Sequence, residues 1–215
     1  IVCCKKEDFI KRWRELEHLS SLTFNSSKDS PLDELFTLYM YFLRAKQGNT
    51  NTTTEALRKF YEKDTYKALK NETTLDELEI LIKFWNDVNN QDLNRFSDKI
   101  LRLLFVLNYA PNGMWYYFVS VYFMHNKQSD GSLEENAFLK FLERTIGFIW
   151  AYALTNPGVN ALRTPIYREM VNLINGKEVT FADFKFDRSN LEGIIKNYRF
   201  LNQRQITRSM ITWWA

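Results

Sequence analysis

Glycine and proline are scarce in this sequence, with seven glycines and four prolines among 215 residues. Folds rich in β-strands need many tight turns, and those turns rely on these two residue types. Their scarcity therefore favours long helices over a series of short strands. The chain is 45% hydrophobic and 16% aromatic, which is enough for a large core and excludes a disordered chain.

Cysteine is scarce as well, because Cys3 and Cys4 are the only two. Neighbouring cysteines rarely bond to each other, and the sequence contains no third cysteine as a partner. The sequence therefore excludes a disulfide framework and predicts a reducing, cytoplasmic location.

The residue types that build common catalytic sites are isolated from one another. His18 and His125 lack further ligands at the short spacing that a zinc site needs. No glycine belongs to a phosphate-binding or dinucleotide-binding pattern, and no serine has the setting of a nucleophile elbow. We therefore expect no catalytic residue, no metal site and no cofactor here, and we predict that these residues alone are not an enzyme.

Apolar residues recur at helical spacing along most of the chain. This pattern predicts an all-α fold, an irregular bundle of about nine or ten helices with at most one short strand or hairpin near 177–187. We expect one helical domain over 1–215, with sub-bundles 1–92 and 93–215 as a finer division. Polar residues that cap helices mark several predicted starts, namely Ser30 before Pro31, Thr54, Thr74 with Glu77, Ser97, and Ser132 with Glu135.

One stretch without charge, Leu103 to Met124, is long enough to span a bilayer. Pro111 and Gly113 lie in its middle, however, and this combination typically ends a helix. We therefore expect two apolar helices that meet at a turn in the centre of the bundle, and no membrane partner.

The two ends of the sequence differ from natural termini. The chain starts without methionine and stops inside the apolar run Ile211 to Ala215, whereas natural C-termini usually end in polar residues. We expect it to be a segment of a longer protein.

Basic residues are concentrated near the C-terminal end, where six of them lie between Lys185 and Arg208 against two acids. Helical spacing places Lys196 with Arg199 on one face, and Arg204 with Arg208 on one face. Such a face suits either DNA phosphates or the surface of a neighbouring domain, and both alternatives stay open. Arg163 and Arg168 would add to it if their helix lay alongside.

A more specific pattern covers nearly the whole chain. It consists, in order, of the stretches Lys11–Trp13, Leu35–Tyr39, Phe60–Tyr61, Phe141–Arg144, Ile149–Leu154, Val159–Tyr167 and Ile206–Ile211. In content and order these stretches resemble the helical middle region of the GmrSD-type restriction proteins. They are packing patterns rather than catalytic motifs.

In that family an N-terminal ParB-like domain hydrolyses nucleotide and a C-terminal HNH domain cuts DNA. The characteristic motifs of both domains are missing from this sequence, so the resemblance assigns no catalytic residue to it. The resemblance implies a non-catalytic connector between two active domains of a bacterial anti-phage DNA endonuclease. Its partners would be the flanking domains of the same chain, with weak contact to the DNA backbone as a secondary role.

A second function fits the aromatic content, which includes six tryptophans and eleven tyrosines. Aromatic side chains on a surface would suit a free-standing helical protein-interaction module unrelated to restriction. Nothing in the sequence predicts the oligomeric state.

Overall fold

The computed structural model describes residues 2–24, 30–156, 160–184, 186–197 and 211. Within these ranges the chain forms nine α-helices and no strand, which confirms the predicted all-α class. The helices are α1 (Val2–Thr23), α2 (Pro31–Lys46), α3 (Leu57–Tyr66), α4 (Thr74–Asn89), α5 (Asp98–Leu107), α6 (Met114–Asn126), α7 (Glu135–Thr155), α8 (Arg163–Ile174) and α9 (Arg188–Lys196).

Helices α2 and α6 form the centre of the bundle. Helix α2 packs against α1, α3, α4, α6 and α8, and α6 also packs against α4 and α8. The buried side chains of α6 are Trp115, Phe118, Val119, Ser120, Val121, Tyr122, Phe123 and Met124, so this helix is buried on every side. The core therefore continues across the boundary between the predicted sub-bundles 1–92 and 93–215.

The long uncharged stretch forms two helices, as predicted. Helix α5 ends at Leu107, and α6 begins at Met114 after a turn that contains Pro111. Throughout the described ranges, every helix is too short or too polar to cross a membrane.

Local capping signals predicted the start of α2 correctly. The hydroxyl of Ser30 accepts the N–H of Asp33 at 3.4 Å, and Pro31 occupies the first helical position. Both residues act within one turn of the chain, so nothing distant competes with them.

Two predicted capping boxes are wrong, for different reasons. Helix α4 begins at Thr74, but the hydroxyl of this residue donates to the carbonyl of Ala68 at 2.7 Å, and Glu77 accepts the phenol of Tyr39. At α7 the cap is Glu134, whose carboxylate accepts the N–H groups of the two residues after Glu135. In the first case residues outside the helix, one nearby and one distant in sequence, bind the capping side chains. In the second case the carboxylate of Glu134 lies closer to the free N–H groups and caps the helix instead.

Thr54 does not cap α3 either, because Ala56 holds the cap position. The Thr54 hydroxyl lies instead 3.4 Å from the phenol of Tyr41 and 3.3 Å from that of Tyr167. The two phenol oxygens are 2.9 Å apart and buried. This polar cluster joins α2 and α8 to the loop before α3.

Helix α3 ends in a left-handed turn. Asp64, Thr65 and Tyr66 have positive φ angles of 49°, 58° and 62°. None of these residues is glycine, and each side chain meets steric resistance in this conformation.

Candidate binding groove along helix α7

The connection between α8 and α9 crosses the surface of α7, and we refer to its described residues, 177–184 and 186–187, as the strap. Gly176, with a φ of 73°, turns the chain out of α8. At the other end the carboxylate of Asp187 caps α9 by accepting the N–H of Ser189 at 2.9 Å. Lys185 lies outside the residues that the structure describes.

A buried carboxylate holds the middle of the strap. Glu169 of α8 is 2% exposed, and its Oε1 accepts the backbone N–H of Phe181 at 3.0 Å. Burial raises the pKa of the Glu169 carboxyl, and the nearby charge of Asp183 adds to the rise. This hydrogen bond occupies an N–H that a β-strand would use for pairing. Phe181 also has a φ of 51°, outside the extended region, and the described part of 177–187 contains no strand, which agrees with the prediction of at most one.

Cationic side chains pair with two carboxylates of the strap. Arg144 of α7 pairs with Glu178 and donates to the carbonyl of Val179 at 3.1 Å. Lys140, one turn earlier, lies 3.4 Å from the same Glu178 carboxylate. The Arg144 guanidinium, and then Lys140, lowers the pKa of Glu178. Further along the strap, Arg168 of α8 lies 3.1 Å from Asp183.

Aromatic rings fill the space between the strap and α7. The Phe181 ring lies 3.8 Å from the Phe148 ring, with the two planes 4° apart. Phe184 and Phe186 each contact both Phe148 and Tyr152. Phe181 and Phe148 are buried, whereas Phe184 and Phe186 remain half-buried. Part of this aromatic surface therefore stays open to solvent.

The open aromatic surface forms a groove of about 550 Å³ between α7 and the strap. Its walls are the rings of Phe148, Phe184 and Phe186, and Arg144 lies at one end. Helix α7 forms the floor of the groove. The floor is low because α7 contributes only small residues there, exposed Gly147 and half-buried Ala151. We refer to this region as the aromatic section.

A second depression of about 360 Å³ adjoins it on the other side of Arg144. It is lined by His125, at the end of α6, and by Lys140, Lys177 and Glu178. Lys140, Arg144 and Lys177 place three permanent positive charges around the single carboxylate of Glu178. We refer to this depression as the basic section. The basic and aromatic sections together make up the α7 groove.

The sequence-predicted contact residues lie elsewhere or fall outside the described ranges. Lys196 is exposed at the last turn of α9. Arg199, Arg204 and Arg208 are outside the residues that the structure describes, so their predicted shared faces stay predictions. Of the two added candidates, Arg163 donates to the carbonyl of Thr52 at 3.4 Å, and Arg168 pairs with the strap.

Metal-ligating side chains do not gather in the part of the chain that is described. No group of three or more His, Cys, Asp or Glu side chains there is close enough to hold an ion. His18 and His125 are both exposed, on α1 and at the end of α6.

Comparison with known proteins does not assign this chain to a family. No protein-family model, curated protein or solved structure matches this chain. The resemblance to the GmrSD-type restriction proteins therefore remains a prediction.

Sequence reasoning missed the α7 groove, although one signal pointed to it. Phe181, Phe184 and Phe186 put three aromatic rings into six residues that lack a helical apolar period. A loop with this many rings has to pack against something. Arg144 and Glu169, in contrast, sit within ordinary amphipathic helices and gave no signal of their own.

Proposed function

We propose that this chain is a helical connector domain that holds neighbouring domains of a larger, GmrSD-like anti-phage restriction protein. The α7 groove is its contact surface in this proposal. The observation that carries it is the open aromatic section, where half-buried Phe184 and Phe186 face solvent beside the low floor at Gly147. A concave apolar surface with a charged border has the anatomy of a protein interface.

The rest of the bundle suits the mechanical part of this role. The core is continuous from α2 to α8, so a force or displacement at one end is transmitted through packed side chains. The strap leads directly into α9, which packs against α7, so the groove lies close to α9. A domain bound in the groove would therefore be held against a rigid support.

The groove also supports a second function, that of a free-standing interaction module whose partner is a separate protein. The two functions use the same surface and differ in the origin of the partner segment. Contact with a DNA backbone through exposed Lys196 remains a secondary role that the groove does not require.

Site-specific photocrosslinking in cells that express the natural gene separates these functions. A benzophenone amino acid replaces Ala182, an exposed residue of the strap that lines the aromatic section opposite its floor, so the floor stays open to a partner. The matched control carries the same amino acid at exposed Lys11 on α1. Crosslinked peptides are then identified by mass spectrometry.

The connector function predicts crosslinks from position 182 to another domain of the same polypeptide. Crosslinks to one reproducible segment of a different protein would support the free-standing module instead. If position 182 gives no more crosslinking than position 11, the α7 groove is not a contact surface, and both functions lose their support.

A further inference from the structure

We propose that the α7 groove recognises an acidic peptide segment that carries bulky apolar side chains, with the acidic part in the basic section and the apolar part in the aromatic section. This inference rests on the proposed function and names the chemistry of the segment that the groove receives. It follows from how the two sections are arranged around Arg144.

Charge complementarity favours an acidic segment. Lys140, Arg144 and Lys177 border the basic section, and only Glu178 opposes them among its lining residues. The Lys140 side chain is 62% exposed, and Arg144 is 36% exposed. Two of the cations already share one carboxylate, so a second carboxylate can bind beside Glu178 without leaving an unpaired charge.

The basic section is nevertheless poorly suited to a small anion or to a DNA phosphate alone. Helices α6 and α8 both end at it, at Asn126 and Ile174. Each helix C-terminus carries roughly half a negative charge, so together they offset about one of the three cations. Charge alone therefore gives weak binding, and a tight partner must fill the aromatic section as well.

The aromatic section has the size for such a partner. Its volume of about 550 Å³ lies within the range of roughly 300–1,000 Å³ that is common for ligand sites. The low floor at Gly147 and Ala151 leaves room for a large side chain beside the half-buried rings of Phe184 and Phe186. Aromatic or long aliphatic side chains would cover these rings and bury them.

Helix geometry sets the spacing within the partner. Lys140 and Phe148 are eight residues apart on α7, which corresponds to about 12 Å along the helix axis. An extended peptide advances about 3.3 Å per residue, so its acidic and apolar parts should be separated by about four residues.

The test uses fluorescence anisotropy with the whole chain and a labelled probe peptide. The probe has three glutamates and two tryptophans with centres about four residues apart. One comparison peptide has glutamine in place of glutamate, and another has alanine in place of tryptophan. Inorganic phosphate and a short DNA duplex are added as competitors.

The complete probe should bind about tenfold more tightly than either comparison peptide, because it alone uses both sections. Lys140→Glu and Gly147→Trp should each weaken binding by about tenfold, the first by charge reversal and the second by filling the groove. Control variants with the same changes elsewhere, Lys59→Glu on α3 and Gly193→Trp on α9, should bind as the natural chain does. Circular dichroism shows whether each variant is folded.

Three outcomes would overturn the inference. These are equal binding of all three peptides, binding that survives both groove substitutions, and displacement of the probe by phosphate or duplex DNA. Each leaves the photocrosslink at position 182 unaffected, because that crosslink reports contact whatever the partner's chemistry. A failed probe with a retained crosslink therefore removes the acidic partner but not the connector.

Discussion

The aromatic rings of Phe148 and Phe181 lie face to face, with centroids 3.8 Å apart and planes 4° apart. The same Phe181 donates its backbone N–H to buried Glu169. One residue of the strap thus supplies both its main apolar contact and its buried hydrogen bond. The shape of the α7 groove depends on this attachment.

Phe181→Ala should destabilise the protein strongly. The side chain is 4% exposed, and truncating a buried phenylalanine costs about 3–5 kcal/mol in the free energy of unfolding. Phe186→Ala is the matched control, because its half-buried ring should cost only about 1 kcal/mol. Urea denaturation measures both values, and equal losses would show that Phe181 does not anchor the strap.

Glu169→Gln should change how stability depends on pH. Since burial raises the folded-state pKa of Glu169 above its ordinary value of 4.5, the native protein binds this proton more readily than the unfolded chain. The Glu169 carboxyl therefore stabilises the folded state most when the pH is below its ordinary pKa. This stabilisation is lost as the pH rises through the raised pKa. Stability of the variant relative to the natural chain should thus increase with rising pH.

Glu178→Gln provides a control of opposite sign. Arg144 and Lys140 lower the pKa of Glu178, so its contribution is present above the ordinary pKa and is lost as the pH falls through the lowered value. The variant should therefore lose stability relative to the natural chain with rising pH. Urea denaturation across an acid-to-neutral pH series measures both differences. Parallel trends for the two variants would contradict the buried, raised-pKa state of Glu169.

Thr65→Gly should stabilise the protein by about 1 kcal/mol, because Thr65 has a φ of 58° and a β-branched residue resists the left-handed conformation. Glycine in the regular part of the same helix should act in the opposite direction. Lys59→Gly, at an exposed helical position, should destabilise by about 1 kcal/mol. Thermal unfolding of both variants tests the left-handed turn, and a loss of stability in Thr65→Gly would argue against it.

Tyr41→Phe and Tyr167→Phe should each destabilise by about 1 kcal/mol, since each leaves the other buried phenol with fewer partners. The two oxygens are 2.9 Å apart, so the losses should not add in the double variant. A double-mutant cycle measures this coupling, with exposed Tyr66→Phe as the neutral control. Additive losses would mean that the two hydroxyl groups do not interact.

The sequence predicted features that depend on neighbouring residues. Ser30 and Pro31 start α2 through contacts within one turn, and Pro111 separates two apolar helices regardless of the surroundings. Thr74 and Glu77 have an equally good local pattern, yet Ala68 and Tyr39 take their side chains. A capping pattern does not show whether a residue outside the first helical turn competes for its side chains.

The candidate groove could not be predicted for the same reason. Arg144 meets Glu178 across 34 residues, and Glu169 meets Phe181 across 12. Both helices would have the same apolar period without these contacts. Only the closely spaced phenylalanines of the strap indicated a surface that packs unusually.

Hydrogen–deuterium exchange of the strap tests the central claim most directly. The exchange of residues 179–184 is compared between this chain alone and the longer protein that the connector function requires. Exchange in exposed α1 at residues 6–11 serves as the internal control. We predict that strap exchange slows severalfold in the longer protein, because a bound domain covers the α7 groove, while α1 is unchanged. Identical strap exchange in both proteins would contradict the proposal that the groove is the contact surface.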